Sequence, residues 1–291
     1  AHSVAEAALR HHPRMSAPRI DALSRLLDDG FRLWWRGLRW TAPLALLGAL
    51  PSLRRMLALP TLAELQADPE GASLAVIEPL MQSGTWLWWG FSALMGLWLA
   101  GAQLRILDGL LHGEPPQALR SLGLATLRLP LLALSMSLYV LCCALPLLPL
   151  LVFNAWLGLQ GLELVPMLLL SMLGSLLAVL PIAWIAVRLL FLPVAAALEG
   201  LGPLRGLQRS RAMVAGQWWR LLVFLSIPLT VYGVAAAAAM ALPLTLATVL
   251  GTEAAALLGT LAGLLTAALG IPMLYACLVC AYRERSAPQG G

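Results

Sequence analysis

Long apolar runs alternate with short charged clusters along the chain, and the two predict different structures. Leu129–Gln160 and Leu221–Thr252 contain no charged residue at all. About 20 apolar residues suffice for a helix to cross the hydrocarbon of a bilayer, so each run accommodates at least one crossing. Extended over the chain, the pattern predicts an all-α fold, a polytopic transmembrane helical bundle. Its six spans fall at about 33–53, 84–104, 127–148, 164–187, 221–242 and 254–277. Residues 1–17 read as a disordered N-terminal tail and 286–291 as a C-terminal tail, with a single membrane domain over 18–285. Met15-Ser16-Ala17-Pro18 has the form of an initiation site, which would place residues 1–14 upstream of the natural start.

Two charged segments lead directly into spans. In residues 18–36, Ile20, Leu23, Leu27, Phe31 and Trp34 recur at helical spacing, while Arg19, Asp21, Arg25, Asp28 and Arg32 lie elsewhere on the wheel. A segment that is both charged and one-sidedly apolar is expected to lie in the membrane interface instead of crossing it. Residues 203–220 are expected to do the same. There Leu204, Leu207, Val214 and Trp218 face one way, and Arg205, Arg209 and Arg220 largely the other. Residues 56–83 form a polar excursion in which Thr61-Leu62-Ala63-Glu64 has the form of a capping box. Asn154–Glu163 is the expected turn between the third and fourth spans.

Composition agrees with lipid as the solvent. The 291 residues are 60% hydrophobic and 11% charged, against about a quarter charged in a soluble domain. All 19 basic residues are arginine, which excludes a lysine Schiff base or a P-loop lysine. The basic pI near 9.5 does not point to nucleic acid, because the arginines flank apolar runs and form no single stripe. With six spans and both termini cytoplasmic, 17 arginines fall inside and only Arg54 and Arg55 outside. That is the asymmetry the positive-inside rule requires. Trp34, Trp35, Trp40, Trp218 and Trp219 then sit at the inner interface, and Trp86, Trp88, Trp89 and Trp156 at the outer one.

Arg25…Trp34-Trp35-Arg36 reappears as Arg209…Trp218-Trp219-Arg220. With a shorter version at 115–128, the chain reads as three repeats of interfacial helix plus membrane hairpin. The segment 188–220 carries a further pattern. Arg188 is followed by Pro193, then by Glu199-Gly200 and Gly202-Pro203, then by Arg209-Ser210, and finally by Trp218-Trp219-Arg220. This resembles a bacterial family of six-helix inner-membrane domains. Members occur alone, uncharacterised, or fused to glycerophosphodiester phosphodiesterase catalytic domains. The resemblance implies the bacterial inner membrane. It carries over no phosphodiesterase activity, because the chain has no such domain.

Candidate chemistry is sparse. The sequence has no HExxH and no GxSxG, and His112-Gly113-Glu114 reads as a solvated turn. Cys142, Cys143, Cys277 and Cys280 lie in apolar segments and read as small buried hydrophobes, so no metal and no cofactor is expected. The middles of the spans carry no Asp, Glu, Arg or His, which counts against ion-coupled transport. The reading is a non-enzymatic accessory or scaffold protein that contacts anionic phospholipid or a membrane partner. Its candidate site comprises Arg188, Glu199, Arg205, Arg209, Ser210, Arg211, Trp218, Trp219 and Arg220. The alternative is a transporter or permease subunit for a lipid or apolar solute, for which a cavity lined by Gln103, Asn154 or Gln160 would speak. Reporter fusions test the topology. Those after Arg55, Gln160 and Gly251 should read outside and those after Glu114, Gly206 and Arg285 inside; an inside reading at Gln160 would contradict spans three and four.

Overall fold

The computed structural model describes residues 18–58, 83–160 and 164–286. The two tails, most of the polar excursion with its capping box, and residues 161–163 lie outside the described residues. Among the described residues the regular elements are all helices, with no strand. The helices are α1 (Pro18–Ala58), α2 (Ser83–Leu111), α3 (Ala118–Ala144), α4 (Leu147–Leu159), α5 (Leu164–Arg188), α6 (Leu192–Glu199), α7 (Pro203–Val214), α8 (Trp218–Leu250) and α9 (Thr252–Ser286). Among the described residues five stretches are long and apolar enough to cross a membrane: 84–111, 118–144, 165–199, 218–242 and 257–286. This is consistent with a helical membrane bundle.

The expected interfacial helix at 18–36 is not a separate element. It runs without interruption into the following apolar stretch as the 41-residue α1. At 1.5 Å per residue α1 is about 60 Å long, roughly twice the hydrocarbon thickness of a bilayer. Its apolar stripe is also turned differently from the expectation. Leu23, Leu26 and Leu27 pack against a protein core built around Phe191, Phe224 and Tyr282. A one-sided apolar stripe reports burial of that side and does not distinguish lipid from protein. Gly30 and Gly37, which could have ended a helix, instead let neighbours approach. A Cβ on Gly30 would lie 2.9 Å from Cys277 Sγ on α9, and one on Gly37 2.7 Å from Leu107 Cδ2 on α2.

Other boundaries shift for local reasons. α3 starts about ten residues before the expected span and breaks at Leu145-Pro146, after which α4 runs through Asn154. Asn154 is therefore not in a turn; its side chain donates to Leu150 O one turn back at 3.0 Å. The chain turns at Gln160. Residues 203–220 are not one helix either. α7 ends at Val214, and Ala215–Gln217 form a turn with Gly216 in the left-handed region at φ 73°. Trp218, Trp219 and Arg220 thus open α8. The two Arg…Trp-Trp-Arg segments differ in structure, one lying on a continuous helix and the other on a helix–turn–helix.

The core concentrates at one end of the bundle, where α9 packs against both α1 and α8. Ala276, Cys277, Val279, Cys280, Ala281 and Tyr282 of α9 are buried there. Toward the opposite end, α4 packs on α5, with the ring of Phe153 over Gly174. Leu169, Met172, Leu176 and Leu180 of α5 remain exposed, as side chains in contact with lipid would be. Replacing Gly30 by Leu should destabilise the protein by about 1–3 kcal/mol through overpacking at the α1–α9 contact. At Gly96, where a Cβ meets nothing within 4 Å, Ala should be neutral or stabilise by up to about 1 kcal/mol through helix propensity. Thermal unfolding in detergent separates the two; equal midpoints would contradict the packing argument.

Candidate functional site

The charged end is built around the short helix α6. Phe191, Leu192, Val194, Ala195 and Ala196 are fully buried, and Ala197 nearly so. A helix of eight residues leaves half of its carbonyls without an intrahelical donor, and burial keeps water from supplying one. Two arginines from neighbouring helices supply it. Arg105 Nη2 on α2 donates to Ala197 O at 2.8 Å. Arg128 Nη1 on α3 donates to Ala197 O at 3.1 Å and also to Leu198 O. Their positive charge matches the negative end of the helix dipole. Gly200 closes α6 in the left-handed region at φ 70°, directly beside the Arg128 guanidinium.

α7 follows with a clear division of faces. Gly206, Ser210, Met213 and Val214 are buried, at the i, i+4, i+7, i+8 spacing of one helical side. The Ser210 hydroxyl donates to Arg188 O at 2.9 Å and accepts from Phe191 N at 3.2 Å, so it fastens the turn between α5 and α6. Arg205, Arg209 and Arg211 are exposed. Arg209 lies 4.0 Å from the Glu199 carboxylate. Among the described residues the side chains of Arg205 and Arg211 form no hydrogen bond or ion pair.

The C-terminal end of α9 ties these parts together. Arg283 forms a bidentate pair with Asp108 at the end of α2, both bonds at 2.6 Å. Arg285 donates from Nη1 to Met213 O at the end of α7 (2.8 Å) and from Nη2 to Gln217 Oε1 in the next turn (2.9 Å). Arg220 donates to the same Gln217 oxygen at 3.4 Å. Between α1, α7, α8 and α9 a cavity of about 370 Å³ remains, lined by Arg209, Gln217, Arg220, Glu284 and Arg285 with Leu23, Leu26, Leu221 and Phe224 among its apolar residues. A second cavity of about 440 Å³ borders Arg25, Asp29, Arg283 and Glu284. Gln103, Asn154 and Gln160 line neither.

The expected site residues therefore divide. Arg209 and Arg220 meet at the first cavity, and Glu199 is close to Arg209. Arg205 and Arg211 point outward, and Ser210 is buried in the frame. Arg188 lies over the Trp184 ring at 4.7 Å. Trp218 and Trp219 stack with centroids 4.0 Å apart, and Trp219 is well exposed. Sequence reasoning did not include Arg105, Asp108, Arg128, Gln217, Arg283 and Arg285. The one available signal was the Glu199-Gly200 helix stop, whose orphan carbonyls need cations from elsewhere in the chain.

His112-Gly113-Glu114 is the C-cap of α2. Gly113 takes φ 77°, and Glu114 N and Gly113 N donate to Gly109 O and Leu110 O. Residues 90–285 match a protein family described as a domain of unknown function (DUF7847). No curated protein and no solved structure matches the chain. The Asp108–Arg283 pair joins α2 to α9 across the charged end. A double-mutant cycle with Asp108→Asn and Arg283→Gln should give a coupling of about 1–3 kcal/mol. Additive losses in unfolding free energy would show that the pair contributes nothing of its own.

Proposed function

The chain belongs to the DUF7847 family, and we propose that it acts there as a non-enzymatic integral membrane protein, an accessory or scaffold that contacts anionic phospholipid. The observation that carries this reading is the exposed basic face of α7. Arg205 and Arg211 lack side-chain partners among the described residues, and Arg209 stands at the long limit of an ion pair. Exposed Trp219 on the adjoining turn of α8 suits the headgroup layer. We take the chain to cross the bacterial inner membrane six times with both termini cytoplasmic, as the 17-to-2 arginine distribution supports. The kinship with phosphodiesterase-fused membrane domains belongs to the same reading. The second reading, permeation of a lipid or apolar solute, calls for a path lined by Gln103, Asn154 or Gln160, which border neither of the two cavities at the charged end.

Each arginine at an anionic surface contributes about 1 kcal/mol, so Arg205 and Arg211 together contribute about 2 kcal/mol. Replacing both by Gln should leave the fold intact and lower the enrichment of phosphatidylglycerol over phosphatidylcholine around the protein in mixed-lipid nanodiscs. Unchanged enrichment would refute the lipid-contacting role of this face.

A further inference from the structure

The cavity between α1, α7, α8 and α9 has an unbalanced charge. Arg209, Arg220 and Arg285 line it against a single acid, Glu284, whose residue is itself exposed. Arg220 and Arg285 converge on one amide oxygen, Gln217 Oε1, at 3.4 and 2.9 Å. Two guanidinium groups sharing one neutral acceptor repel each other, and Glu284 is the carboxylate that opposes that repulsion at Arg285. Arg209 brings a third guanidinium to the rim, with the Glu199 carboxylate 4.0 Å away. Arginine presents a planar fork of donors that fits the tetrahedral oxygens of phosphate in pairs. The cavity also lies beside the first turn of the 33-residue α8, whose N-terminal dipole favours an anion. Its volume of about 370 Å³ falls within the usual range of small-ligand sites, about 300–1,000 Å³.

We infer that this cavity binds one phosphoryl oxyanion, a phosphate mono- or diester, through Arg209, Arg220 and Arg285. The rest of the ester lies along the half-buried Leu23 and Leu26. This deepens the lipid-contacting reading and rests on it for one source of the ester, a phospholipid headgroup; a soluble phosphate ester offers the same chemistry. The site differs from the exposed face of α7 in being stoichiometric, with one anion per chain.

Native mass spectrometry of the full chain in neutral detergent doped with phosphatidylglycerol or phosphatidylcholine tests it, alongside titration with glycerol phosphate followed by thermal shift. Wild-type protein should retain one phosphatidylglycerol, or be stabilised by glycerol phosphate, and Arg220→Gln should lower the apparent affinity at least tenfold. Arg220→Lys should recover part of it. Arg205→Gln/Arg211→Gln should leave this single binding event unchanged, so loss of enrichment in that variant and loss of the site are separate results. Retention of the lipid with no response to glycerol phosphate identifies a headgroup; the reverse identifies a soluble ester. Arg285→Gln also removes the bond to Met213 O, but Arg220→Gln spares it, so misfolding of the first would not shield the inference. Binding of neither probe to the wild type, or equal binding to wild type and Arg220→Gln, would overturn it.

Discussion

A carbonyl group taken out of water must find a donor, and the charged end of this bundle is organised by that requirement. α6 is too short to satisfy its own C-terminus, and Ala197 in its last turn is buried from solvent. Arg105 and Arg128 reach it from α2 and α3, and their bonds to Ala197 O and Leu198 O fix the height of α6 against both helices. Arg285 repeats the device at the end of α7. A guanidinium suits these positions better than an ammonium would, because its planar fork can engage two neighbouring acceptors at once. A chain whose basic residues are all arginine therefore has the right side chain wherever such a cap is needed.

The legible part of the fold was what depends on composition over twenty residues. Runs such as Leu221–Thr252 could be nothing but long apolar helices, and the turns at Gly113 and Gly200 sit where glycine marked a stop. Two kinds of feature were not legible. One is the environment of an amphipathic stripe: Leu23 and Leu27 look the same whether they meet lipid or Phe224. The other is a partner distant in sequence. Nothing local to Arg283 indicates Asp108, and nothing local to Arg285 indicates Met213. Of the candidate site, the basic segment was found from its own charge density. Half of the cavity was missed because Arg285 and Gln217 reach it only through folding.

The arginines at this end thus fall into two populations that one sequence pattern does not separate. Arg105, Arg128 and Arg283 are committed to carbonyls or a carboxylate of the protein and serve as frame. Arg205, Arg209, Arg211 and Arg220 are weakly committed or uncommitted. Positive-inside counting treats all of them alike, since it responds to charge and not to occupancy. The second population has donors to spare for an outside anion, and Arg285 stands between the two, with Nη1 capping Met213 O and its Nε unpaired.

The cap on α6 also bears on the sequence of events as the chain emerges. Its donors lie 92 and 69 residues upstream of Ala197, so they are already in place when α6 is made. Asp108, by contrast, waits for Arg283, 175 residues downstream, and the end of α7 waits for Arg285. Neither contact can form before the end of α9 has been made. The nascent protein therefore passes through a stage in which the front half of the charged end is set and the rear half stands open. The last few residues of α9 act as the clasp that ends that stage.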